Sequence, residues 1–325
     1  MICEQLMNDW HALASVRELE DQNPLACELF GERIVLWSDG GEFHAMPDQC
    51  PHRGARLSLG QVREKELICA YHGWRFNNEG RCSFQPAQPA IRPSAGTRVS
   101  RYPLIERFGL IWVCLGSSPA SPPIFKGLDD DYHLVITGPY DVETSAPRVI
   151  ENFLDVAHLP FVHAGMLGDE EHAEIKDYEV SSSESGVEIR NFRIWQPNAS
   201  SVHTEGLEIE YSYDILRPYT IMLTKSPAEQ EEKPTDLIFL TVSAREETRV
   251  RAWIIMATTY GDEESEQAVH DFQDTIFMQD KDVLESQIPK NLPLELNMEK
   301  HQQADKASLE YRRWLKQLGI NYGTM

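Results

Sequence analysis

One residue separates Cys50 from His52, two separate Cys69 from His72, and sixteen lie between the pairs, in CPHRGARLSLGQVREKELICAYHGW (50–74). Two thiolates and two imidazoles suit a tetrahedral zinc ion. The usual zinc arrangement, however, puts both cysteines on one arm and both histidines on the other. Here each arm carries one of each. That mixed pattern suits a two-iron cluster in which one iron takes both thiolates and the other both imidazoles. The other four cysteines, Cys3, Cys27, Cys82 and Cys114, have no histidine in register and are scattered. Six cysteines in so long a chain are not a disulfide scaffold.

A second group is ENFLDVAHLPFVH (151–163), with Asn152, Asp155, His158 and His163. Two histidines five apart on a partly apolar helix are weak evidence alone, and core residues are the commoner reading. Pro160 lies between them and removes a helix hydrogen bond, so a kink is expected there. A late helix offers Asp271, Asp274, Asp280, Asp282 and Glu285. At about 100° per residue, Asp280 falls inside an apolar stripe of Val269, Phe272, Ile276 and Val283, whereas Asp282 lines up with Asp271 on the wet face. A buried carboxylate needs a cation, which favours Asp280 as a metal ligand with Asp282 next.

The elements that must hold these residues can be read coarsely. Residues 26–118 are rich in short β-type segments such as RIVLWSD, EFHAMPD, ELICAYH and LIWVCLG, broken by Gly, Asp and Asn. GSSPASPPIF (116–125) is the best linker, which divides the chain into domains 1–118 and 119–325. A second β-rich stretch, about 186–260, has the partial alternation of an antiparallel sheet with one wet face, and EETR (246–249) reads as a hairpin turn. One helix begins near Pro147 with Thr144 or Ser145 as cap, a second runs about 263–287 and stops before Pro289, and a third covers about 302–318. The fold class is therefore α+β.

The apolar fraction of 41% and charged fraction of 25% are those of an ordinary globular protein. No apolar run reaches the roughly 18 residues of a membrane span, and the start MICEQLMNDWHALA lacks a basic region before an apolar one. A soluble, cytoplasmic protein without a membrane partner is expected. The formal net charge of −22 argues against nucleic acid as a partner.

CPHRGARLSLG followed by CAYHGW resembles the Rieske [2Fe–2S] signature nearly residue for residue, and Asn-x-x-Asp-x-x-His-x4-His at 152–163 resembles the mononuclear-iron motif of Rieske non-haem iron oxygenases. The whole chain is similar to the α-subunits of that family. The nearest pattern is the monooxygenase branch of vanillate and dicamba O-demethylases, methylxanthine N-demethylases and saxitoxin-tailoring oxygenases. QDKDVLESQIPKNLP and ADKASLEYRRWL look especially like the methylxanthine enzymes.

The resemblance implies a Rieske antiparallel β domain followed by a helix-grip domain, an antiparallel sheet over a long helix. Cys50, His52, Cys69 and His72 would hold the [2Fe–2S] cluster, with Gly54 and Gly73 admitting the backbone, Pro51 stiffening the first turn and Trp74 shielding the cluster. His158, His163 and Asp280 would complete a facial triad for mononuclear Fe(II). Asp155 would join a Rieske histidine to an iron-ligand histidine, orienting both rings. Gln279 stands where the family usually has an acid, a change of local charge. Family members form head-to-tail homotrimers with one subunit's cluster beside the next subunit's iron. Electrons would come from a separate flavin/iron–sulfur reductase or ferredoxin, since the chain has no G-x-G-x-x-G after a strand and no plant-type ferredoxin cysteines.

The expected reaction uses O2 to hydroxylate a C–H bond of a small cyclic substrate, most readily an N- or O-methyl lost as formaldehyde. Hydroxylation without demethylation, ring cis-dihydroxylation, a pure electron-transfer protein and a small-molecule carrier are the competing readings. The pocket is expected on the sheet facing the iron, within 203–224 and 238–260, with Trp253, Ile255, Met256 and Tyr260 as instances that suit a core equally well.

Overall fold

The computed structural model describes residues 2–129, 132–197, 206–228, 236–258 and 263–325. Tyr260, one of the expected lining residues, lies outside them. The chain divides into two compact units, Met7–Pro123 and Ile124–Met325, the latter joined by Met1–Leu6. No helix among the described residues is long and apolar enough to cross a membrane.

After α1 (Glu4–Met7), which straddles the boundary at Leu6, the first unit is built from β1 (His11–Ser15), α2 (Val16–Asp21), β2 (Leu25–Leu29), β3 (Glu32–Ser38), β4 (Phe43–Pro47), β5 (Gln61–Arg63), β6 (Glu66–Ile68), β7 (Arg75–Phe76), β8 (Cys82–Phe84), β9 (Leu104–Arg107) and β10 (Leu110–Val113). The strands form three antiparallel sheets in the orders β1-β10-β9, β2-β3-β4 and β5-β6-β7-β8. Strands of the second and third sheets share a core of Val35, Trp37, Met46, Leu57, Leu67, Phe76 and Val99, and Cys50 and Cys69 are part of that core. The two cysteine arms leave from either end of the β5–β6 hairpin, so pairing that hairpin brings sequence-distant arms together.

The second unit carries β11 (His133–Val142), α3 (Ala146–Leu154), α4 (Leu159–Val162), β12 (Glu179–Ser183), β13 (Gly186–Gln196), β14 (Leu207–Arg217), β15 (Thr220–Pro227), β16 (Asp236–Glu246), β17 (Arg249–Thr258), α5 (Glu263–Ser286) and α6 (Lys306–Gln317). Its seven strands form one antiparallel sheet, ordered β11-β17-β16-β15-β14-β13-β12. Tyr140 on β11 bonds Asp274 on α5 at 2.5 Å and stacks on Phe277, tying the 24-residue helix to the sheet. The α+β class with a helix-grip second domain is as expected. β11 and β12, outside the stretch read as β-rich, extend the sheet at both edges.

Three local expectations are corrected. The segment 151–163 is not one kinked helix: α3 ends at Leu154, and His158 is the N-cap of the short α4. Pro160 then sits in the first turn of α4, where no helix hydrogen bond is lost. The break at 155–158, not a proline kink, sets the directions of the two histidines. On α5 the buried stripe is Gln273, Ile276, Phe277 and Leu284, while Phe272 and Val283 are each 39% exposed. Asp280 keeps to that stripe, with its side chain 14% exposed, and Asp282 is exposed.

Candidate metal centres

The two cysteine arms are the same turn built twice. The Cys50 carbonyl accepts from Gly54 N–H at 2.9 Å, and the Cys50 N–H donates to the Ala55 carbonyl at 2.8 Å. The Cys69 carbonyl accepts from Gly73 at 3.0 Å, and the Cys69 N–H donates to the Trp74 carbonyl at 2.9 Å. Each glycine has positive φ, +72° and +67°, a conformation costly for other residues. The unequal spacing thus reflects one loop shape with its histidine at the third position on one arm and the fourth on the other.

Cys50 and Cys69 are each 2% exposed and unbridged, whereas His72 is exposed and His52 half-buried. The His52 and His72 rings lie 4.4 Å apart, and Trp74 stacks on His52 at 4.3 Å. Burial, then the neighbouring Cys69, pushes the Cys50 thiol up to about 11. The buried His52 Nδ1 has no hydrogen-bond partner. Two thiols pressed together in a core and an orphaned imidazole nitrogen are what an iron–sulfur cluster would relieve, since thiolate ligation replaces the buried protons. Thiols inside and imidazoles outside would give the cluster a buried side and a surface side.

In the second unit the break after α3 turns His158 toward His163, and α5 supplies Asp280. His158 Nε2 and His163 Nε2 are 3.3 Å apart, and Asp280 Oδ1 lies 3.3 Å from the first and 3.2 Å from the second. With metal–ligand bonds of about 2.0–2.1 Å, adjacent donors stand about 3.0 Å apart around an octahedral ion and about 3.4 Å around a tetrahedral one. The triangle therefore fits one divalent ion with a facial set of two histidines and a carboxylate. Burial would lower the His158 imidazole, but the carboxylates of Asp155 and Asp280 hold it up at about 9. Burial would raise Asp280, but His158 and His163 hold it down at about 2.

Neighbours fix the orientation of these three. Asn152 Nδ2 donates to Asp280 Oδ1 at 3.3 Å. Gln279 Oε1 lies 2.7 Å from His163 Nδ1; an amide oxygen only accepts, so that nitrogen carries the proton and Nε2 is left to bind metal. Asp155 Oδ2 is 3.7 Å from His158 Nδ1, beyond direct hydrogen-bond range, and its Oδ1 accepts from Ala157 N–H at 2.8 Å. Behind α3, buried Arg148 and Arg312 clamp Glu151 and Glu299, with Arg312 Nε 2.6 Å from Glu151 Oε1 and Nη2 2.5 Å from Glu299 Oε2.

The trio opens onto a cavity also lined by Phe153, Tyr211, Tyr213, Lys225, Met256 and Gln273. Met256 is on it. Trp253 and Ile255 are not among its lining residues, because alternation sends them to the other face of β17. Tyr211 and Tyr213 fall within the expected stretch 203–224 without being singled out, whereas Lys225 and Gln273 lie outside both expected stretches. The alternation Ile209, Tyr211, Tyr213, Ile215 marks an inward face, and a lone lysine in TIMLTK was a further signal.

Two family models match: the Rieske [2Fe-2S] domain over residues 9–103 and the vanillate O-demethylase oxygenase C-terminal domain over 142–319. Methylxanthine N1-demethylase NdmA of Pseudomonas putida is 34% identical across 97% of this chain and 90% of its own. The chain belongs to the Rieske non-haem iron oxygenases. The solved structure of Pseudomonas putida NdmA with caffeine superposes with a TM-score of 0.82 at 31% identity, covering 97% of this chain and 91% of that one. Dicamba monooxygenase bound to dicamba, at 21% identity and a TM-score of 0.79 over 96% of this chain and 97% of its own, shares the fold. As a Rieske-type monooxygenase the chain uses a [2Fe–2S] cluster and a mononuclear iron.

Proposed function

We propose that this chain is the terminal oxygenase component that removes an N- or O-linked methyl group from a small cyclic substrate, releasing formaldehyde, with electrons from a separate reductase. Cys50, His52, Cys69 and His72 would hold the cluster, and His158, His163 and Asp280 the iron. When bound, these groups deliver electrons to O2 and insert one oxygen atom into a C–H bond. The protein's own residues do the rest. Asn152 orients the Asp280 carboxylate, and Gln279 fixes the His163 tautomer. Tyr213, Phe153 and Met256 supply apolar walls that exclude water and hold a flat ring. Hydroxylation of a methyl on N or O gives a hemiaminal or hemiacetal, which collapses to formaldehyde.

In this reading the subunits form a head-to-tail homotrimer, and Asp155 reaches the neighbouring subunit's cluster histidine. Its side chain is 41% exposed, which leaves it accessible for such a contact. The N1-demethylase activity named for the 34%-identical relative supports the methyl as the oxidised carbon.

The observation that carries the proposal is the 3.2–3.3 Å donor triangle opening onto an aromatic-lined cavity. The test supplies the enzyme with a flavin reductase, NADH and a panel of methylated heterocycles and methoxyarenes. Formaldehyde in proportion to NADH is expected. A hydroxylated product with its methyl group intact would replace demethylation by plain hydroxylation.

A further inference from the structure

Lys225 is a charged side chain on the inward face of β15, 9% exposed, in the same cavity as the His158–His163–Asp280 trio. It pairs across the sheet with Tyr211 on β14 and Asp236 on β16, and its Nζ lies 5.3 Å from the Tyr211 ring centroid. Burial would favour the neutral amine, but Tyr211 and Asp236 hold its pKa above the ordinary value, so the group stays an ammonium.

Tyr211 adds a second donor. The fully buried Gln196 places Nε2 3.3 Å from the Leu167 carbonyl and 2.6 Å from the Tyr211 hydroxyl. A carbonyl only accepts, so this amide group is NH2 and not oxygen, and it donates to Tyr211 as well. The Tyr211 oxygen is thus an acceptor on that side, and Lys225, an ammonium, can only donate to it on another. The phenolic proton has neither of these directions open and is left for the cavity.

We infer that Lys225 and Tyr211 form the donor pole of the substrate pocket and select a ring bearing a carbonyl or carboxylate oxygen away from the oxidised methyl. This rests on the demethylase reading and names its substrate class. Two donors at this wall disfavour protonated or quaternary methylamines, whose cation would face the Lys225 ammonium. Because Asp236 stands beside Lys225, the pole does not require a full negative charge on the ligand: a lactam carbonyl serves as well as a carboxylate.

The test uses the holoenzyme and two matched pairs: a methoxybenzoate with methoxybenzene, and N-methylpyridone with N-methylpyrrole. Anaerobic calorimetry gives Kd for each. A charge-assisted hydrogen bond corresponds to a preference of about 10- to 100-fold for the oxygen-bearing member. Lys225→Met should bring that ratio to within about threefold of unity. Tyr211→Phe should lower it by about 3- to 10-fold and carries the same question if Lys225→Met fails to fold, as judged by cluster absorbance. A ratio near one in the wild type, or a wild-type ratio retained in the variants, overturns the inference. Formaldehyde is assayed separately. A binding preference without formaldehyde removes the demethylation reading and leaves the donor pole, and formaldehyde without the preference does the reverse.

Discussion

Gln279 Oε1 lies 2.7 Å from His163 Nδ1, on the ring nitrogen turned away from Asp280. A neutral amide therefore accepts from this ring and fixes its tautomer without adding charge. Gln279→Leu frees both tautomers, so Fe(II) affinity should fall about 10- to 100-fold in metal titration. Gln279→Glu keeps the acceptor and makes the imidazole a stronger base, so affinity should be retained or rise. Equal affinity in all three proteins would sink this role for Gln279.

His158 and Asp280 separate an oxygenase from a plain electron carrier. His158→Ala and Asp280→Ala should lose turnover by at least about 100-fold while the cluster's visible spectrum is unchanged. Removing iron by chelation should do the same to the wild type, with activity returning on adding Fe(II). A chelated protein that still oxidises substrate would contradict the assignment.

The first unit holds a buried control. Cys82 shares the core with Cys50 and Cys69, but its thiol faces the Phe84 carbonyl at 3.6 Å. Cys50→Ala and Cys69→Ala should each abolish cluster absorbance after reconstitution, whereas Cys82→Ser, which can keep that hydrogen bond, should retain it. Zinc alone in the purified wild type would overturn the cluster assignment.

The clamp behind α3 sets an acid limit on stability. Burial would raise Glu299, but Arg148 and Arg312 lower it below the ordinary 4.5. A depressed carboxylate contributes stability above its unfolded value and loses it as the pH falls through the folded one. Unfolding should therefore ease below about pH 4.5, and Glu299→Gln should flatten that part of the pH profile. Arg312→Met leaves Glu151 and Glu299 to share Arg148 alone in a half-dry site and should cost about 3 kcal/mol in urea unfolding. A cost near zero would show the clamp to be ornamental.

Much of the chemistry was legible because ligands declare themselves by type and spacing. The mixed Cys–His arms and the helical stripe single out Cys50, His52, Cys69, His72 and Asp280 as donors from type and spacing alone. Asp280 was picked out from a stripe that was itself misplaced, because Phe272 and Val283 are apolar without being buried. Apolarity reports what could be inside, whereas burial depends on what packs above. The helix break at 155–158 was hidden for a related reason: a proline three residues earlier or later gives the same composition, and only the caps distinguish a kink from two helices.

The pocket was the least legible part. Alternation marks two faces of β17 but does not say which one meets the cavity, and the choice of Met256 over Trp253 and Ile255 was made by the partner helix. By itself the sequence determined the donor inventory, the two-domain order and the family, because local loops fix close-range ligand spacing. Only the tertiary structure decided which donors meet, that Gln279 backs His163 and that Lys225 enters the cavity. Gln279 and His163 stand 116 positions apart, and Asn152 and Asp280 128 apart, and nothing in a local window encodes contacts over such separations.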